Sequence, residues 1–318
     1  MKSYLNLVSK QFKRVFSSII LCFIFSIICS ATAMSTEKVR KSPIAGSWYP
    51  GERKQLQRQI EDYFAKTQSA VPVGRIIALI SPHAGIEYSG LAAASGYKLL
   101  KGQKIKRVIV LGPSHYSGFR GLATSAEDYY ETPLGRIKVD RTISDALFSK
   151  PLFQGPRNAQ LQEHSLEMQL PFLQVVIGDF LLVPLVVGEL SVNDYTGAAR
   201  VLSSYLDNET IIVASSDFTH YGYRFGYLPF TENPRENLKK LDYGAINKII
   251  AKDFEGFNSY VNETGATICG MRPIGIILKL LPAQAQGSLI SYYTSGDLTG
   301  DFSSSVSYAS IVFTLPAP

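Results

Sequence analysis

Five side chains able to bind a metal or move a proton fall in short, turn-rich stretches of the chain. His83 stands in Ser81-Pro82-His83-Ala84-Gly85, just after the apolar run 75–80. His115 stands in Gly112-Pro113-Ser114-His115, after the run 108–111. His220 ends Ser215-Ser216-Asp217-Phe218-Thr219-His220, after the run 211–214. His164 lies in Glu163-His164-Ser165, and Cys269 precedes Gly270-Met271-Arg272-Pro273. The chain has only these four histidines, and three of them follow an expected strand. In open α/β sheets ligands bind outside the carboxyl ends of the strands. The placement therefore reads as one site assembled from several loops.

Imidazole and thiolate are good ligands for iron, copper or zinc. The ligating candidates are far apart in sequence, so spacing alone supplies no metal signature. Each histidine taken singly reads equally well as a hydrogen-bonded structural residue. A cysteine at a helix start gains from the helix dipole, and Arg272 nearby would favour thiolate. Asp217 could orient His220 as a general acid or base, or it could cap the turn that follows the strand. Glu163 and Glu167 flank His164 on an expected helix. Glu167 reads as a first-turn acid helped by the dipole, and Glu163 as an acid near a metal.

These residues need a sheet to hold them. Residues 75–81, 106–111, 180–187 and 210–215 are continuous apolar runs, as expected for strands buried on both faces. Helical spacing covers 53–67, 90–100, 140–150, 194–206, 236–252 and 271–281. Residues 163–177 also read as a helix, with Pro171 forcing a kink or an early end. Residues 288–294 and 306–314 are expected to close the sheet as neighbours. No repeat, low-complexity tract or linker interrupts the pattern. The fold class is therefore α/β, a single domain with a mostly parallel central sheet flanked by helices.

The N-terminus reads as a targeting segment. Lys2, Lys10, Lys13 and Arg14 precede an apolar core at 19–28, too short for a comfortable membrane span. Ala31-Thr32-Ala33 fits a signal-peptidase site, so residues 1–33 are expected to be removed and residues 34–318 to form the mature domain. The chain is then exported, to the periplasm or beyond, and touches a membrane only if the signal stays on. Removal takes away four basic residues and leaves 28 Lys+Arg against 26 Asp+Glu, a net charge of +2. No basic cluster with interleaved aromatics remains, which argues against nucleic acid as a partner. Cys22 and Cys29 leave with the signal, so Cys269 becomes the only cysteine. An odd cysteine in an exported chain reads as a reactive thiol, a metal ligand or an intermolecular partner, or as a small buried hydrophobe.

Phosphate-loop, dinucleotide-loop and G-x-S-x-G motifs are all missing, which argues against ordinary NTPases, Rossmann enzymes and α/β-hydrolases. The set AGSWYP at 45–50, SPHAG at 81–85, GPSH at 112–115, EHSLEMQLPFL at 163–173, SSDFTHYG at 215–222 and CG at 269–270 resembles the Memo family, in bacteria the AmmeMemoRadiSam system protein B group. The resemblance covers nearly the whole mature chain. It implies a fold similar to class III extradiol ring-cleaving (LigB-like) dioxygenases. It further implies His83 and His115 as metal ligands, Cys269 in the place of the third ligand and His220 as acid/base; on the reading of the residues themselves Asp217 would stand behind His220, and His164 and Glu163 beside the metal. A thiol stands where those dioxygenases carry a carboxylate, which favours softer metals. Iron or copper is the expected metal, with zinc possible, and a small molecule or O2 the expected partner; a protein partner is not specified. The reading is a metal-dependent redox enzyme. The alternatives are a metal- or peptide-binding module without turnover, and a Cys-His hydrolase using Cys269 and His220.

Overall fold

The computed structural model describes residues 37–68 and 73–316. The expected signal segment, residues 1–33, lies outside them. No helix among the described residues is long and apolar enough to cross a membrane.

In chain order the elements are β1 (Val39–Arg40), α1 (Arg53–Lys66), β2 (Arg75–Ser81), α2 (Ile86–Tyr97), β3 (Arg107–Pro113), β4 (Leu122–Thr124), β5 (Tyr129–Thr132), β6 (Gly135–Val139), α3 (Arg141–Phe148), α4 (His164–Glu167), α5 (Leu170–Val176), β7 (Leu181–Val187) and α6 (Val192–Ser203). They continue with β8 (Thr210–Ser215), β9 (His220–Gly222), α7 (Pro234–Ile250), α8 (Phe254–Thr264), α9 (Met271–Leu280), β10 (Gln286–Thr294), α10 (Ser295–Thr299) and β11 (Ser304–Leu315).

The strands join in the order β1-β5-β6-β7-β3-β8-β2-β11-β10, with β4 on β7 and β9 on β11. The centre, β6-β7-β3-β8-β2, is parallel. Its runs RVIVLGP, LLVPLVV and TIIVAS are buried almost without a break. A strand puts successive side chains on opposite faces. Ile109 and Leu111 accordingly pack with Ile274, Ile277 and Ile246 on one face, whereas Val108 and Val110 pack with Leu56, Ile60 and Tyr97 on the other. Covering both faces with helices is what a parallel sheet demands. The result is a single α/β domain with a mixed, mostly parallel open sheet.

The two closing strands, β10 and β11, are antiparallel neighbours as the sequence suggested. The expected helix over 163–177 is two short ones. Pro171 falls in the first turn of α5, where its missing N–H costs nothing.

Candidate metal and proton-transfer site

Three adjacent parallel strands, β3, β8 and β2, deliver the site. His83 follows β2, Ser215 ends β8 with Asp217 just beyond, and His115 follows β3. A fourth segment, α4, brings His164. Gly112 lets that turn approach: a Cβ there would meet Ser165 Oγ at 2.4 Å and Leu166 Cδ2 at 2.9 Å. Ser165 Oγ then donates to Pro113 O at 3.0 Å and fixes α4 against the end of β3.

One ligand atom each from His83, His115 and His164 all lie within 4.8 Å of one another. The ring centroids are 4.5 Å apart for His115 and His164, 5.2 Å for His83 and His115, and 5.5 Å for His83 and His164. His83 and His164 are buried, while His115 is exposed and opens the cluster to solvent. Trp48 lies against His164 at 4.3 Å between centroids, and Tyr116 Oη is 3.1 Å from His164 Nδ1.

Glu163 organises the exposed side. Its carboxylate accepts from His115 Nδ1 at 2.9 Å, from His115 N at 2.8 Å and from Ser165 N at 3.0 Å. Burial alone would raise its pKa, but the hydrogen bonds and the charge of His115 outweigh burial and hold it at about 2. Because an ionised carboxylate only accepts, His115 donates from Nδ1, so in the neutral ring Nε2 is the nitrogen with a free lone pair. Burial, reinforced by the neighbouring imidazoles, pushes His164 down to about 3. Burial pushes His83 well below the ordinary imidazole value too. Both rings are neutral at pH 7, the form that ligates a metal.

Cys269 joins through His83: its Sγ is 3.2 Å from His83 Nε2 and accepts from Asp217 N at 3.2 Å. Gly270 allows this approach, since a Cβ there would meet Ser216 Cβ at 2.2 Å. The expectation of a thiolate favoured by Arg272 does not hold here. Burial pushes the thiol well up, the Asp217 carboxylate adds to the effect, and Arg272 is paired with Glu189 instead. The three ligand atoms the fold gathers thus come from His83, His115 and His164, a different set from the His83, His115 and Cys269 implied by resemblance. His164 thus joins His83 and His115 in one cluster, while Cys269 Sγ lies against His83 Nε2.

Asp217 does not orient His220. Its Oδ1 accepts from His83 N at 2.7 Å and Ala84 N at 3.3 Å, so it clamps the His83 loop. His220 Nδ1 is held by the carbonyls of Phe218 at 3.0 Å and Thr267 at 3.2 Å. Two carbonyl partners require Nδ1–H, so in the neutral ring Nε2 is the acceptor. Thr267 also accepts from His220 N at 2.8 Å and donates to His220 O at 3.0 Å. Thr267 carried no motif signal in the sequence, and neither did Arg40. The buried Arg40 guanidinium pairs with Glu167 at 2.5 Å and donates to the carbonyls of Gln160 and Glu163, both at 2.7 Å. Tyr49 Oη donates to Glu167 at 2.5 Å. Glu167 is thus the buried anchor that ties residues 40–49, Trp48 among them, to α4.

An open α/β sheet gathers imidazoles and a thiol past the carboxyl ends of its central strands, and this is the protein's candidate site. Its relatives agree on a family. The family model described as "Memo-like protein" matches residues 40–312. Protein MEMO1 of Homo sapiens is 33% identical over 291 residues, 87% of this chain and 97% of that protein. A MEMO1 family protein of Methanopyrus kandleri is 32% identical over 289 residues, 86% of this chain and 98% of that one. This chain belongs to the Memo family. Among solved structures, an uncharacterized protein from Escherichia coli K12 matches with a TM-score of 0.47 and 16% identity, over 75% of this chain and 99% of that one.

Proposed function

We propose that this Memo-family chain binds one transition metal, iron or copper, through His83, His115 and His164 and uses it for redox chemistry on a small molecule or O2. The observation that carries the reading is the meeting of three imidazole ligand atoms within 4.8 Å. The donor set fits the group: His83 and His164 are neutral, the neutral His115 ring offers Nε2 because Nδ1 donates to Glu163, and the side of His115 is open to solvent. A metal held there would supply an electron-transfer and Lewis-acid centre. The chain's residues do the rest. Glu163 orients His115, Asp217 clamps the His83 loop, and His220 holds or accepts a proton at Nε2.

A second reading replaces His164 by Cys269, supported by the 3.2 Å Sγ–Nε2 contact to His83. Metal–nitrogen and metal–sulfur bonds of about 2.0 and 2.3 Å at a tetrahedral angle span roughly 3.5 Å, so this pair is close to ligating geometry. The Cys-His hydrolase finds no support, since the thiol is held protonated and its contact is His83 rather than His220. We also propose that the chain is exported after loss of residues 1–33, which an intact mass of the extracted protein tests.

Elemental analysis of anaerobically purified chain tests the metal. About one iron or copper per chain is expected, and none in a His83→Ala, His115→Ala double variant; equal metal in both overturns the proposal. X-ray absorption then separates the two ligand sets, a sulfur shell near 2.3 Å marking Cys269. O2 consumption by the loaded protein separates an enzyme from a binding module without turnover.

A further inference from the structure

Behind His83 runs a buried hydrogen-bond chain that has no role in the reading above except through His83 itself. Tyr97 Oη donates to Gln169 Oε1 at 2.7 Å. That bond, with Gln169 Nε2 donating to Pro82 O at 2.9 Å, fixes which end of the amide is nitrogen. The second amide hydrogen is donated to Ser215 Oγ at 2.7 Å. Ser215 spends its single hydroxyl hydrogen on Ser165 O at 2.6 Å. Its Oγ lies 2.8 Å from His83 Nδ1. Gln169 and Ser215 are fully buried, so no water competes for these partners.

A serine hydroxyl has one hydrogen and two lone pairs. Here the hydrogen is committed to a carbonyl and one lone pair to an amide N–H. The remaining lone pair faces His83 Nδ1, which must therefore donate. We propose that Ser215, held in place by Gln169 and Tyr97, is the positioning residue that locks His83 in the Nδ1–H tautomer and so aims a bare Nε2 at the site. The opposite tautomer would need the Ser215 hydrogen, and the buried Ser165 carbonyl would be left without that donor. The role matches that of outer hydrogen-bond partners at metal sites generally, which fix the ring's tautomer and orientation.

The inference rests on His83 being a ligand, but its test does not. Long-range proton–nitrogen NMR of the metal-free, nitrogen-15-labelled full chain reads each imidazole's tautomer directly. His83 is expected to show a protonated Nδ1 and a bare Nε2. Ser215→Ala is expected to move population toward Nε2–H and to weaken Co(II) binding by about 10- to 100-fold, whereas Ser215→Thr, which keeps the hydroxyl, retains the wild-type tautomer. A wild-type His83 protonated on Nε2 overturns the proposal, even if the variants fail to fold. So does a folded Ser215→Ala chain with unchanged tautomer. If the wild type shows Nδ1–H yet binds no metal, the metal reading fails and the tautomer lock stands.

Discussion

His115 Nδ1 lies 2.9 Å from Glu163 Oε1, and the same carboxylate caps the backbone of His115 and of Ser165. One acid thus sets the ring's tautomer, holds the β3 loop and starts α4, the helix that carries His164. Glu163→Gln replaces an acceptor-only group by one that can also donate. It is expected to weaken metal binding about 10- to 100-fold and to cost about 1–3 kcal/mol of stability. Metal titration and urea unfolding measure the two effects; a variant with wild-type affinity would remove Glu163 from the site.

Acid should destabilise the metal-free protein well above the carboxylate range. Burial holds His164 at about 3 and His83 well below the usual value, while the unfolded rings protonate near 6.5. Between those values the unfolded chain binds more protons, so this stability is complete above about pH 6.5 and falls as pH drops, by up to about 1.4 kcal/mol per unit and ring. Glu163, held at about 2, adds its own loss below about pH 4.5. Melting temperatures from pH 7.5 to 5 should decline, and less steeply in His164→Asn. A flat profile would mean that the rings are not buried neutral.

The Arg40–Glu167 pair is almost wholly buried and spans 127 residues of sequence. Removing one partner leaves an uncompensated charge, so Arg40→Ala or Glu167→Ala is expected to cost about 3–5 kcal/mol. Denaturant midpoints check this; a loss below about 1 kcal/mol would show that the segment at 40–49 is held by other contacts.

His220 and Asp217 should separate cleanly. His220→Ala leaves the three clustered histidines intact, so metal content is retained while any redox turnover falls about 100- to 10,000-fold. Asp217→Ala instead releases the His83 loop and should lower metal affinity, whereas Asp217→Asn keeps an accepting oxygen and should be mild. Loss of metal in His220→Ala would make His220 a ligand.

The strand-end histidines were legible because a buried parallel strand is a continuous apolar run and its end is punctuated by Gly, Pro or Ser. His83, His115 and His220 could be placed that way. His164 could not, because it sits on a helical turn whose approach depends on Gly112 packing against Ser165 and Leu166. Asp217 lies three residues before His220 in sequence but turns to the His83 backbone, a choice made by the β2–β8 pairing. The Arg40–Glu167 pair and the Tyr97–Gln169–Ser215 chain join residues far apart in sequence, and no local pattern marks them. Helix α8 carries only a weak local signal, because Gly256, Asn258 and Ser259, poor helix formers, lie between its buried positions Phe254, Phe257 and Val261.

The most direct test of the metal-site reading is an anaerobic titration of metal-free chain with Fe(II) or Cu(I), comparing wild type with the single variants His83→Ala and His115→Ala. The account expects one metal per wild-type chain and loss of that site in either variant. A wild type that binds none, or variants that bind as tightly as the wild type, would contradict it.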